Sequence, residues 1–117
     1  MKKPIQKVST IEAGFPSPGG DSHEEEMSLD DYIINNREAS FMVRMKGDAM
    51  ASRGIYDGDM IVVERGRDAR AGDFVIVRTM EDEGGFVIRN YKDALREFGK
   101  DIYIEAVVVA VIRKYTK

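Results

Sequence analysis

The chain has no cysteine at all among its 117 residues and only one histidine. Without thiols it can form neither disulfides nor thiolate metal sites, which fits a reducing compartment. The one histidine, His23, sits among Asp21, Glu24, Glu25 and Glu26. A metal site there would need a second imidazole that the chain lacks, so an exposed acidic loop is the simpler reading. Long apolar runs are also missing. None approaches the roughly 20 residues that span a bilayer, and the charged start Met1-Lys2-Lys3-Pro4 has no apolar segment behind it. The expectation is a cytoplasmic protein with no membrane contact. Nor is there a basic surplus. The net charge is −3, so no global field draws the chain onto nucleic acid, and direct sequence-specific DNA binding is not expected. Arg113, Lys114 and Lys117 read as a solvated tail rather than a grip on DNA.

What is present is a normal hydrophobic content of 43%, in a length that suits one domain with a modest core. Residues 1–27 read as a flexible N-terminal arm. In it Gly14-Phe15-Pro16-Ser17-Pro18-Gly19-Gly20 mixes prolines that enforce extension with glycines that permit almost any backbone, and an acidic run to Glu26 follows. Residues 28–117 read as the folded domain. Ser28 is placed to cap a short helix, with Asp31 three residues on as a weak capping box. Leu29, Tyr32 and Ile33 give that helix one apolar face suited to core packing, and Asn35-Asn36 ends it.

From Ser40 the pattern is β. Strands are expected over 40–45, 59–64, 74–79, 86–91 and 102–113, separated by Asp57-Gly58, Gly66, Gly72 and Gly84-Gly85. The clearest pairing is a hairpin between the segments starting at Phe74 and Phe86. Ala51 to Arg53 should form one helical turn closed by Gly54, and residues 92–99 a short helical connection. Ala106 to Ile112 is continuously apolar, so it is either buried on both faces or part of a subunit interface.

The segment Lys46-Gly47-Asp48-Ala49-Met50 puts one small side chain on a sharp turn at the end of the apolar strand Phe41-Met42-Val43-Arg44-Met45. With Asp57-Gly58-Asp59, Met60-Ile61-Val62-Val63, Gly72-Asp73-Phe74-Val75-Ile76-Val77 and the closing run to Arg113, this order resembles the LexA/UmuD self-cleaving serine peptidases. The resemblance covers nearly the whole chain. It implies a mainly β fold with strongly bent sheets, short helices and an extended N-terminal arm.

That family's Gly-Asp-Ser-Met stands here as Gly47-Asp48-Ala49-Met50, so Ala49 occupies the nucleophile position. The family's base is a lysine that loses its proton when desolvated and then activates the serine. Its strand aligns with Phe86-Val87-Ile88-Arg89, which places Arg89 at the general-base position. Arginine stays protonated and cannot serve. Lys92 is the nearest lysine, but its odd offset from Arg89 along an extended strand turns it to the other face. Ser52, one helical turn beyond Ala49, could be a displaced nucleophile; a capping or solvated serine explains it more simply. A third departure is length, since Asn90 to Asp101 is shorter than the family's segment.

The resemblance also makes Ala13-Gly14 the scissile pair, with glycine allowing close backbone approach to the nucleophile. Only a dozen residues precede that pair, which leaves no room for the DNA-binding domain of LexA-type repressors and points to the UmuD branch. UmuD-like membership implies an accessory subunit for error-prone translesion DNA synthesis in the SOS response. Its partners would be a second copy in a homodimer, the error-prone polymerase subunit, and a RecA filament on single-stranded DNA. No cofactor is implied. Two other readings stay open: an active self-cleaving peptidase inactivated by engineering at Ala49, or a non-catalytic dimeric interaction module. An engineered trap needs only one change, and Arg89 is a second. In the module, Arg89 would sit in the cleft as a cation bonded to the arm's carbonyls or to Asp48, or else snorkel to solvent.

Overall fold

Short runs of consecutive β-branched residues build the main sheet, and the computed structural model describes residues 5–9, 25–79 and 85–116. The chain divides into two units, residues 1–35 and 36–117. In the first, β1 (Gln6–Val8) pairs antiparallel with β2 (Glu25–Met27), setting Lys7 opposite Glu26. Opposite charges facing each other across strands favour that register. Neither strand was expected from the sequence. The short helix α1 (Leu29–Ile33) follows at the expected place. Ser28 is its N-cap residue, but its side chain makes no capping bond, so the capping box does not form. The core-packing expectation also fails: α1 buries no residue, and Leu29 and Tyr32 are exposed. His23 and the Ala13-Gly14 pair lie outside the described residues.

The second unit is an antiparallel sheet in the order β3 (Ser40–Arg44), β4 (Met60–Glu64), β7 (Ile104–Ile112), β5 (Phe74–Arg78), β6 (Phe86–Asn90). All five strands expected beyond Ser40 are present, and Val75 faces Arg89 in the β5–β6 hairpin. β7 is shared. Its later part pairs with β4 and its earlier part with β5, and Val107 is the partner of both Glu64 and Val75. The register shifts between Val62 and Val63 on one side and between Ile76 and Val77 on the other. Such bulges raise local twist and bend the strand.

Period-2 alternation then sorts the apolar residues onto two faces. One carries Met45, Ile61, Val63, Ile76, Ile88 and Ala106; the other carries Val75, Val77, Val107 and the helical Ala94. Burying each valine completely is worth about 1.5–3 kcal/mol. The apolar run that ends in β7 is therefore buried on both faces at Ala106 and Val107, whereas Val111 and Ile112 are exposed.

Helix α2 (Tyr91–Phe98) covers the second face and occupies the shortened segment. The Asn90 side chain accepts the Lys92 N–H at its start, and Gly99 closes it by donating to the Leu95 carbonyl. Among the described residues no helix is long and apolar enough to cross a membrane.

Candidate functional site

The turn that carries Ala49 is built from below. β3 runs into Met45, whose N–H donates to the Asp59 carbonyl at 2.8 Å and whose own carbonyl accepts from Gly58 N–H at 2.8 Å. Gly47 then turns the chain with φ +91°, and its N–H donates to Asp57 Oδ1 at 2.6 Å. An L side chain is strained at that φ, so glycine is what lets the turn close. Met50 and Ile55 anchor the far side in the core, and Ala51–Arg53 makes the expected 3₁₀ turn closed by Gly54. Between these anchors Ala49 stands exposed at the tip. The Arg53 guanidinium ties the same turn to α2 through Asp93, at 2.7 Å.

Ala49 and Arg89 line one cleft, with a volume of about 630 Å³. Its apolar lining includes Phe41, Val43, Met45, Ile61, Ile76 and Ile88, and the edge strand β6 forms one wall. Cations crowd the lining at Arg44, Lys46 and Arg65. The one carboxylate there among the described residues is Glu105, held by Arg65 Nε at 3.3 Å and Arg78 Nη2 at 2.8 Å. Arg65 also lies 4.4 Å from the Phe41 ring centre, and Arg78 lies 4.8 Å from that of Tyr103. Cations over aromatic faces stiffen this end of the cleft. The sequence reading missed Glu105 and its arginines, because the partners are far apart in the chain.

Among the described residues, no hydroxyl, thiol or imidazole lines the cleft. Ser52 is exposed on the 3₁₀ turn and does not line it. Lys92 does not lie on the far face of a strand, as its offset suggested, but in the first turn of α2, exposed. Arg89 does not meet Asp48. Its Nε donates to Glu97 Oε2 at 2.9 Å and its Nη1 to the carbonyl of Ile88 at 2.9 Å. Alternation explains this: Ile88 belongs to the cleft-side cluster while Val87 packs with the α2-side cluster, and Arg89 shares the parity of Val87. Its side chain is partly buried, at 30% exposure, so it does not simply snorkel to solvent.

Below the turn, Arg113 is not part of a solvated tail. Its Nε and Nη2 each donate at 2.7 Å to the two oxygens of Asp59, and Nη2 also donates to the Gly54 carbonyl. Tyr56 places its ring 4.3 Å from the guanidinium carbon. The Arg113 hydrogen bonds, aided by the Tyr56 N–H, hold the Asp59 carboxyl down at about 2 against the opposing effect of burial. The Asp59 carboxylate in turn pushes the Arg113 guanidinium further up. Among the described residues no group of three or more His, Asp or Glu side chains is placed to hold a metal ion.

The cleft thus has a small side chain on a Gly-Asp turn at one part of its lining and a basic residue of an edge strand at another. The model of the Peptidase S24-like family matches residues 5–106. Protein SamA of Salmonella typhimurium strain LT2 is 37% identical over 93 residues, covering 75% of this chain and 64% of SamA. Protein ImpA of Escherichia coli is 38% identical over 78 residues, covering 67% of this chain and 52% of ImpA. The LexA repressor of Bacillus cytotoxicus is 38% identical over 86 residues, covering 74% of this chain and 41% of the repressor. The chain therefore belongs to the Peptidase S24-like, or LexA/UmuD, family. It spans at most 64% of the length of these relatives.

Proposed function

We propose that this chain is a catalytically silent, UmuD-like protein of the bacterial SOS response. It would act in the cytoplasm as a homodimeric accessory or regulatory subunit for error-prone translesion synthesis. One observation carries the silence: among the described residues, the cleft lined by Ala49 and Arg89 contains no hydroxyl or thiol to attack a carbonyl. A methyl group has no lone pair, and a guanidinium cannot accept the proton that a nucleophile must lose. The cleft itself survives as an apolar groove with cationic edges beside an open strand, a surface suited to an extended peptide. The Ala13-Gly14 segment is the family-like occupant. Its recognition by the cleft, together with binding to a RecA filament and a polymerase subunit, completes the proposal.

The test compares intact masses of the unaltered chain and an Ala49→Ser/Arg89→Lys variant after long incubation at mildly alkaline pH. Loss of the first 13 residues from the variant alone is the expected result. An uncut variant that is fully folded would refute a peptidase-competent cleft and leave a binding module built on a peptidase fold.

A further inference from the structure

We infer that Glu97 is a positioning residue that holds the side chain at position 89 and would slow, without abolishing, catalysis by a base restored there. The inference rests on the reading of position 89 as the former base. Glu97 lies in the last turn of α2, the helix that occupies the shortened segment, and it takes the Arg89 Nε at 2.9 Å. A second bond from Arg89 Nη1 to the Ile88 carbonyl fixes the side chain along its own strand edge. The basic residue is thereby turned onto the helix side of β6, and a carboxylate stands where it points.

That arrangement opposes what a Ser/Lys mechanism needs. A lysine works as a base only when its surroundings favour the neutral amine, which requires desolvation and distance from anions. A carboxylate within hydrogen-bonding reach favours the ammonium form instead. Restoring lysine at 89 while keeping Glu97 would therefore yield an amine biased toward its charged form, and hence a slower dyad. The dyad is thus hindered by a neighbour as well as broken at its own two members.

The other charged groups nearby do not substitute for Glu97. From β5 the register partner of Arg89 is the apolar Val75. On α2, Asp93 is already engaged by Arg53 at 2.7 Å and by Arg96 at 3.1 Å, and Lys92 and Arg96 are cations. Across the cleft, Arg44, Lys46 and Arg65 would lower a lysine pKa rather than raise it, and Glu105 is held by Arg65 and Arg78. Glu97 is thus the one carboxylate that faces position 89 among the described residues.

The experiment titrates the lysine side-chain ammonium by heteronuclear NMR in two full-length variants, Arg89→Lys and Arg89→Lys/Glu97→Gln. The expected result is a midpoint lower by about one pH unit when Glu97 is replaced, scaled down from buried pairs because Glu97 is 47% exposed. The difference should shrink in high salt, and Arg89→Lys/Glu97→Asp should retain part of it. Equal midpoints in the two variants overturn the inference, whether or not anything is cleaved. In the Ala49→Ser background the same pair reports on catalysis: Glu97→Gln should raise the cleavage rate about tenfold below the midpoint and move the pH profile down by the same unit. Cleavage with identical pH profiles would leave the family reading standing and remove the role of Glu97. Shifted ammonium midpoints with no cleavage would leave Glu97 standing and remove the peptidase-competent cleft.

Discussion

Arg113 grips Asp59 with two nitrogens on two oxygens, both at 2.7 Å, and so fastens the end of β7 to the loop that supports the Ala49 turn. The two partners are unequally placed. Asp59 is 2% exposed, whereas the Arg113 side chain is 35% exposed. Removing the guanidinium strands a buried carboxylate, while removing the carboxylate leaves a cation that can turn to water. Arg113→Met should therefore lower the thermal midpoint more than Asp59→Asn, and the double variant should recover part of the loss. Equal losses in differential scanning calorimetry would contradict the buried-anion argument.

The same pair sets an acid limit. Asp59 has its pKa depressed in the folded chain from 3.8 to about 2, so its contribution is complete above 3.8 and is lost as pH falls through about 2. Unfolded chains bind the proton first, and stability drops with acid across that window. Urea midpoints measured from pH 5 to pH 2 should fall more steeply for the unaltered chain than for Asp59→Asn. Parallel curves would show that another group governs acid unfolding.

Gly47 is a point where backbone geometry, not contact, decides. Nothing crowds the space a Cβ would occupy, but φ is +91°. Gly47→Ala should cost about 1–2 kcal/mol from backbone strain alone. Asp57→Ala removes the acceptor of the Gly47 N–H and should loosen the same turn, visible as faster amide exchange at Gly47. Full retention of stability in Gly47→Ala would mean that the turn can relax to another conformation.

Ile76 links core and cleft, since it belongs to the buried cluster, pairs in register with Ile88 and Ala106, and also lines the cleft. Ile76→Ala should cost about 2–5 kcal/mol in urea unfolding. A loss below 1 kcal/mol would indicate that the cleft floor collapses to fill the space.

Ala49→Ser on its own, with Arg89 and Glu97 unchanged, should stay uncut however long it is incubated. A serine hydroxyl without a neutral base nearby is a poor nucleophile. Cleavage of this single variant, read by intact mass, would mean that another group, with Lys46 as the first candidate, accepts the proton.

The sheet was legible because short runs rich in valine and isoleucine are punctuated by glycine-bearing turns. Asp57-Gly58 and Gly72 fixed the strand limits to within a residue or two. Ala49 and Arg89 were singled out only through family likeness, and both line one cleft. Sequence did not disclose Glu97, because a carboxylate eight residues from Arg89 meets it only if the chain between them turns into a helix. Lys92 was misplaced for the same reason: strand parity ends at Asn90, where α2 starts. The β1–β2 pairing escaped notice since three-residue strands leave no periodicity to detect. Arg113 looked like tail charge because its partner Asp59 is 54 positions away.

β7 has one more consequence, for the order in which the protein is made. β3 with β4, and β5 with β6, are neighbours in sequence and can zip as separate hairpins while synthesis continues. Nothing joins these two hairpins within the sheet except β7, the last described strand. A nascent chain halted before Ile104 would therefore hold two open-edged ribbons with sticky apolar faces, and closure of the core must wait until the ribosome has released Ile112.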